Sequence, residues 1–343
     1  MKLATIERIL QLDPIAGADK IVLAKILGWD VVVKKEEFKV GDWCVYIPID
    51  TQVDPTRECF KFLASPKNPT QFMRIRTTRL RGVWSQGLAL PISCLGLQLN
   101  EEQLAESTDV SELLGVTKYE KENIFSSDVT TSNCEKFPIH YINKTDEDNL
   151  KTKYMTLKEF VGQQVYITQK IDGSSMTLIW NKDRDNFLVC SRNLVLDTGM
   201  GMFKYVNHIG LKERIVKYGK NLAIQGEFSG PKINGNAMGL KDYEFYVFTI
   251  KDLDTGLFYG LDGIKKITND LELQMVPVIG IYDIDNTWSI DKFQSIANAQ
   301  EYIQSNGKKV PGEGIVVRPV KPIYSQTLCK MLSVKIINQH YKD

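Results

Sequence analysis

The chain has 343 residues, of which 43% are hydrophobic and 25% charged, with a net charge of +1. This is ordinary globular composition, long enough for two domains, and no apolar run approaches the ~20 residues of a membrane span. The six cysteines are scattered without a Cys-x-x-Cys pair, and the opening Met1 to Glu7 lacks the apolar core of a secretory signal. A disulfide scaffold and a zinc site are therefore set aside, and an intracellular protein with no membrane partner is expected.

The first third carries β signals. Strands are expected over 21–28, 30–34, 43–49, 73–80 and 87–92, separated by turn residues such as Val40-Gly41-Asp42. Several short strands of this kind suggest a small barrel of the oligonucleotide-binding (OB) type, or a purely structural β-module. The whole-chain charge says nothing about nucleic acid, but Arg74, Arg76, Arg79 and Arg81 form two pairs, each spaced by two. On a strand that spacing puts each pair on one face, which reads either as a phosphate grip for RNA or as a solvated edge strand. Residues 101–114 read as helix, and 126–133 is polar and linker-like. The expected division is 1–125, a linker over 126–138, and 139–343.

Beyond the linker, strands return. Segments 164–169, 175–180 and 187–192 read as a meander with a hairpin loop over 181–186, followed by strands at 222–227, 243–250, 314–318 and 332–337. Helices are expected over 203–218 and 290–305. The class is α+β, with antiparallel sheets and helices outside.

One hexapeptide is poorly explained by packing. Lys170-Ile171-Asp172-Gly173-Ser174-Ser175 lies between apolar runs. A free lysine amine has a pKa near ~10.4 and attacks phosphorus only when neutral, so burial or neighbouring cations would have to lower it. The alternative is a hairpin turn, since Asp-Gly is a common turn pair. Other charged residues sit at strand ends: Arg192, Glu227 and Glu313, with Lys335 inside an apolar strand. One nucleophile, three carboxylates and two further cations suit phosphoryl transfer, where carboxylates hold a divalent metal and cations neutralise phosphates.

In this order and spacing the set resembles the covalent nucleotidyltransferase superfamily of polynucleotide ligases and capping enzymes, over roughly residues 140–343. Lys170-Ile171-Asp172-Gly173 matches its nucleophile motif. Glu227 resembles the motif III acid, 243–250 motif IIIa, Glu313 the motif IV acid and Lys335 motif V. The β-rich module precedes this part, and only eight residues follow Lys335. That order is similar to the RNA ligase branch known from Deinococcus and Naegleria, whose N-terminal module is also resembled by Glu37 to Asp42, Tyr46-Ile47-Pro48 and Arg79 to Leu88.

The resemblance implies an N-terminal OB-type barrel and a C-terminal nucleotidyltransferase (adenylyltransferase) domain. It further implies an ATP-dependent RNA ligase that works as a monomer with Mg²⁺ or Mn²⁺. Lys170 would take AMP from ATP, pass it to an RNA 5′-phosphate, and an RNA 3′-hydroxyl would displace it, in duplex RNA. The implied nucleotide-binding residues are Gln169, Asp172, Gly173, Ser175, Arg192, Glu227, Phe248, Lys330 and Lys335, with Phe248 preferred to Tyr246 for stacking on the base. The implied metal residues are Asp172, Glu227 and Glu313. Two departures stand out. Motif V commonly has two lysines separated by one residue, whereas Lys335 is flanked by Ser333 and Ile337, which leaves Lys330 as the candidate second cation. Asn149 stands where an arginine is expected. A GTP-using capping enzyme and a non-catalytic RNA-binding protein are the alternatives.

Overall fold

The computed structural model describes residues 2–97, 103–119 and 135–341, and the chain divides into two units, Met1–Glu122 and Asn123–Asp343.

Short antiparallel sheets build the first unit. Thr5–Arg8 lies between Trp43–Ile47 and Thr108–Asp109, with Leu88–Pro91 beyond Trp43–Ile47. Gln11–Pro14, Ile21–Ile26 and Trp29–Lys34 make a second sheet. Trp29, Val31 and Val33 are buried while their neighbours are less so, the period-two pattern of a strand with one apolar face. Trp43–Ile47 is buried on both faces: Val45 and Ile47 join one apolar cluster, Cys44 and Tyr46 another.

The strand expected over 73–80 is broken in two. Met73–Arg74 pairs with Thr51–Val53, while Thr77–Leu80 forms a hairpin with Val83–Gln86. Buried Ile75, bonded through its N–H to the Thr51 carbonyl, separates them. The arginine pairs therefore do not share strand faces; Arg76 and Arg81 lie outside the strands. Within the helix expected over 101–114, residues 101 and 102 lie outside the described residues, and among the rest only Ser111–Leu114 is α-helical. Thr108–Asp109 pairs with Thr5–Arg8 instead, because this stretch is polar and lacks a 3.6-residue apolar stripe. Of the expected linker, 126–134 lies outside the described residues. Lys136 bridges Leu194 and Phe137 is buried, so the chain is tied into the second unit from there.

Two five-stranded sheets make the second unit. The first runs in the order Asp148–Asn149, Val334–Ile337, Gly314–Pro319, Gln164–Lys170, Val278–Asp283. The second runs Asn186–Cys190, Ser174–Asn181, Leu222–Ser229, Glu244–Asp252, Gln274–Met275. Pairing is antiparallel except for Asp148–Asn149 and Gln274–Met275. The expected meander is thus corrected. Segment 164–170 belongs to one sheet and 174–181 to the other, and the chain crosses between them at Ile171 to Gly173. Ile171 is the apolar anchor of the crossing, buried beside Tyr246, Val276 and Tyr302.

Helices Gly201–His208, Leu211–Tyr218 and Leu261–Asp270 cover the second sheet through Val206, Leu211, Ile215, Ile264 and Ile267. Helix Ile290–Asn298 covers the first through Phe293 and Ala297. The helix expected over 203–218 breaks at Gly210, which adopts φ +63°. The one expected over 290–305 ends early, and its last residues form strand Glu301–Ile303, which buries Tyr302. No helix among the described residues is long and apolar enough to cross a membrane.

Strand parity sorts the functional side chains. In the first sheet Val165, Ile167, Ile315, Val317, Val334 and Ile336 enter one core. Their alternates Tyr166, Lys170, Arg318 and Lys335 therefore project from the opposite face. In the second sheet Met176, Leu178, Ile224, Phe228, Phe245 and Val247 enter another core. Ser175, Glu227, Tyr246 and Phe248 then share the face away from it.

Candidate active site

Register brings the acids to the lysine. Lys170 pairs with Gly314, so Glu313 lies beside it across the ladder. The Lys170 ammonium is 2.6 Å from Glu313 Oε1. On the other sheet Ser175 pairs with Glu227. Gly173 is required at the crossing by close approach: a Cβ there would lie 2.5 Å from the Phe228 carbonyl oxygen and 2.9 Å from Glu227 Cγ.

Burial and charge disagree at this cluster, and charge prevails at the lysine. Burial pushes the Lys170 pKa down, but Glu313, Glu227 and Asp172 hold it well above the ordinary lysine range. This corrects the expectation of a lowered pKa: in the free protein the amine is an ammonium. Burial pushes Glu227 up to about 8 against the pull of Lys170, with Glu313 adding repulsion. Burial also raises Glu313, with the Lys170 and Lys335 charges acting against it. Among the described residues, no three His, Cys, Asp or Glu side chains gather into a metal cage. Asp172 is held at both oxygens, Oδ1 by Asn234 Nδ2 at 3.0 Å and Oδ2 by the Tyr341 hydroxyl.

Between the sheets lies a cavity of about 270 Å³, lined by Glu147, Tyr166, Phe248, Arg318, Lys330 and Ser333 among others. Tyr166 shares the strand face of Lys170, four residues and about 13 Å earlier along the strand. Phe248 is half-buried, and the Arg318 guanidinium carbon is 5.5 Å from its ring centroid. Tyr246 on the same face is buried against Ile171 and Tyr302 and does not line the cavity. Arg318 bonds Glu147 at 2.6 Å. Burial pushes the Glu147 pKa up, but Arg318, helped by Ser333 and Lys330, brings it below the usual carboxylate range. The buried Ser333 hydroxyl lies close enough to Glu147 to lower its pKa but completes no hydrogen bond of good geometry.

The remaining expected residues scatter around this core. Lys330 bonds the Asp148 carboxylate at 2.7 Å and the Asp146 carbonyl. It thus brings a cation to the segment where Asn149 lacks one; the Asn149 side chain instead accepts from the Lys151 N–H at 2.9 Å. Lys335 pairs in register with Asn149. Arg192 bonds Asp146 at 2.5 Å, and Ser175 Oγ is 2.7 Å from Thr145 Oγ1. Gln169 donates its amide to the Glu301 carbonyl at 2.9 Å; like Lys170, Asp172, Arg192, Glu227 and Lys335, it is not among the residues lining the cavity. In the first unit Arg74 bonds Asp50 at 2.6 Å and stacks 4.1 Å over Tyr119, whereas Arg76, Arg79 and Arg81 are exposed.

Sequence reasoning missed Arg318, Tyr302, Tyr341 and Asn234. Arg318 had a signal: it alternates with Val317 in an otherwise apolar strand, as Lys335 does in its own. The other three had none, because their partners lie far away in the chain.

Comparison with known proteins decides the family. An RNA ligase family model matches residues 163–336, more than half of the chain. The chain belongs to the RNA ligase family. An OB-fold domain model matches residues 3–92, so this RNA ligase carries an OB-fold module before its ligase domain. Three solved structures of Naegleria gruberi RNA ligase are similar to it. A variant in the apo form is 29% identical, with TM-score 0.82 over 98% of this chain and 96% of that one. A variant with ATP and Mn is 29% identical, with TM-score 0.81 over 98% and 97%. The form with pyrophosphate is 30% identical, with TM-score 0.80 over 98% and 97%. No curated protein sequence matches the chain.

Proposed function

We propose that this RNA ligase uses ATP to seal 3′-hydroxyl and 5′-phosphate ends in nicked duplex RNA, through lysyl-AMP and RNA-adenylate intermediates. The observation that carries the reading is the Lys170 ammonium set among buried Asp172 and half-buried Glu227 and Glu313, on the sheet face whose Tyr166 and Arg318 line an aromatic cleft. The solved relatives with ATP, Mn and pyrophosphate support the choice of nucleotide and products.

The donor set fits a divalent cation held mainly through water. Burial is the main cause that raises both Glu227 and Glu313, with repulsion from Asp172 added, so a further cation beside them would be favoured. A bound Mg²⁺ or Mn²⁺, held by Asp172, Glu227 and Glu313, would neutralise carboxylate and phosphate charge. Were the acids so compensated, burial would govern Lys170 and favour the neutral amine. Its proton leaves through Glu313, which already accepts its hydrogen bond. Lys170 Nζ then attacks the α-phosphorus: a nitrogen–phosphorus bond forms, and the bond to pyrophosphate breaks. Lys335, on the same sheet face, meets the α-phosphate, with Lys330 as second cation. Arg192 meets the nucleotide or the acceptor phosphate. Phe248 takes the base against its ring, the usual role of an aromatic wall in a cleft of this size. The RNA 5′-phosphate then displaces Lys170 from AMP, and the 3′-hydroxyl displaces AMP. Nucleophile and acids come from one chain, which supports a monomer. Residues 1–125 hold RNA through backbone contacts, with Arg76, Arg79 and Arg81 exposed for phosphate, and 126–138 connects them to the adenylating part, 139–343.

The test is incubation with α-labelled ATP and Mg²⁺. A covalent label that disappears in Lys170→Ala is expected; no label on the wild type, or one that survives the substitution, would refute the reading.

A further inference from the structure

Two tyrosines outside every motif converge on the nucleophile. The Tyr302 hydroxyl donates to the Lys170 carbonyl at 2.6 Å and accepts from the N–H groups of Asp172 and Glu313, each at 3.1 Å. One donor and two lone pairs are thereby all used, and one oxygen ties the backbone of the lysine, of the motif aspartate and of the facing glutamate. Tyr302 is buried, carried by the strand that replaces the end of an expected helix. The Tyr341 hydroxyl donates to Asp172 Oδ2. It reaches there through Asn338, whose N–H bonds the Glu313 carbonyl at 2.9 Å and whose side-chain amide bonds the Gly312 carbonyl at 2.9 Å. On the opposite side Asn234 bonds Asp172 Oδ1 and the Gly173 carbonyl. Its loop is held in costly backbone geometry, with Lys232, Asn234 and Asn236 all at positive φ.

Resting on the reading above, we propose that Tyr302 and Tyr341 are positioning residues that set Lys170 for in-line attack. Neither touches the reacting atoms. Tyr302 holds the lysine's backbone against that of Glu313, and Tyr341 holds Asp172 from just beyond the end of strand Val334–Ile337, the same end of the sheet as Lys170. Small displacements of a nucleophile can cost about 100-fold in rate.

The experiment compares two reactions in full-length Tyr302→Phe and Tyr341→Phe. One is formation of the lysyl-AMP label from ATP; the other is sealing of a nick whose 5′ end is already adenylated, which does not use the lysine amine. Each variant keeps its ring and loses one hydroxyl. The expected result is a loss of labelling rate of about tenfold or more at an unchanged KM for ATP, with sealing of pre-adenylated ends largely retained. Labelling at the wild-type rate in both variants would overturn the proposal. So would a parallel loss of both reactions, which would mark the hydroxyls as general supports of the fold. A wild-type protein that forms no label would instead refute the ligase reading itself.

Discussion

At the scale of single residues, the site is governed by charge held out of water. Glu227 and Glu313 carry raised pKa values because both are buried beside each other and Asp172. Replacing either by Ala should lower lysine labelling from ATP by about 100-fold or more, the size of loss expected at a phosphoryl site; a wild-type labelling rate would remove that residue from the site. The Glu147–Arg318 pair makes a separate, pH-dependent prediction. Burial pushes the Glu147 carboxyl up, but Arg318 together with Ser333 and Lys330 brings its folded pKa below the ordinary value. A depressed acid contributes stability that is present above the unfolded pKa and lost as pH falls through the folded one. Glu147→Gln should therefore cost roughly 3 kcal/mol at pH 7, since it leaves a buried guanidinium unpaired. The gap in melting temperature between variant and wild type should narrow below about pH 4. An equal gap at pH 3 and pH 7 would show that the ion pair is not responsible. The raised pKa of Lys170 was not legible from the sequence. A lysine next to an aspartate looks partly paired, but the decisive carboxylates are Glu313 and Glu227, both distant in the chain.

At the scale of elements, the crossing between sheets matters more than any strand. Lys170-Ile171-Asp172-Gly173 looked equally like a hairpin turn, because Asp-Gly permits one. What makes it a crossing is partner choice: Lys170 pairs with Gly314, whereas Ser174 pairs with Phe228. Gly173 passes so close to Phe228 that a methyl group has no room. Gly173→Ala should force the two sheets apart at this point and lower the single-turnover labelling rate by about 100-fold. An unchanged rate would show that the contact relaxes without moving Lys170. Strand existence was largely readable, because apolar alternation is a local property. Element ends were less so. The expected helix over 290–305 ends at Asn298 because Tyr302 is needed in a buried strand, a tertiary demand that propensity does not record.

At the scale of the whole molecule, a net charge of +1 carries no functional information, and the proposed RNA contact rests on the exposed hairpin arginines. Arg79→Ala with Arg81→Ala should weaken sealing of nicked duplex RNA and reduce the slope of log affinity against log salt by about 2. Labelling of Lys170 should stay at its wild-type rate, and an equal loss of labelling would place these arginines in the adenylation step instead. Arg74 is left out of this set because Asp50 and Tyr119 already hold it. The order of motifs by itself determined the family-level reading, since a nucleophile, two later acids and a lysine in an apolar strand are local patterns that survive in one dimension. Only the tertiary structure decided how they work together. Register placed Glu313 on Lys170, parity placed Arg318 and Lys335 on its sheet face, and folding brought Tyr302, Tyr341 and Asn234 to Asp172. Hydrogen bonds between residues more than sixty positions apart leave no periodic trace in a chain, so the setting of the lysine could be read only from the fold.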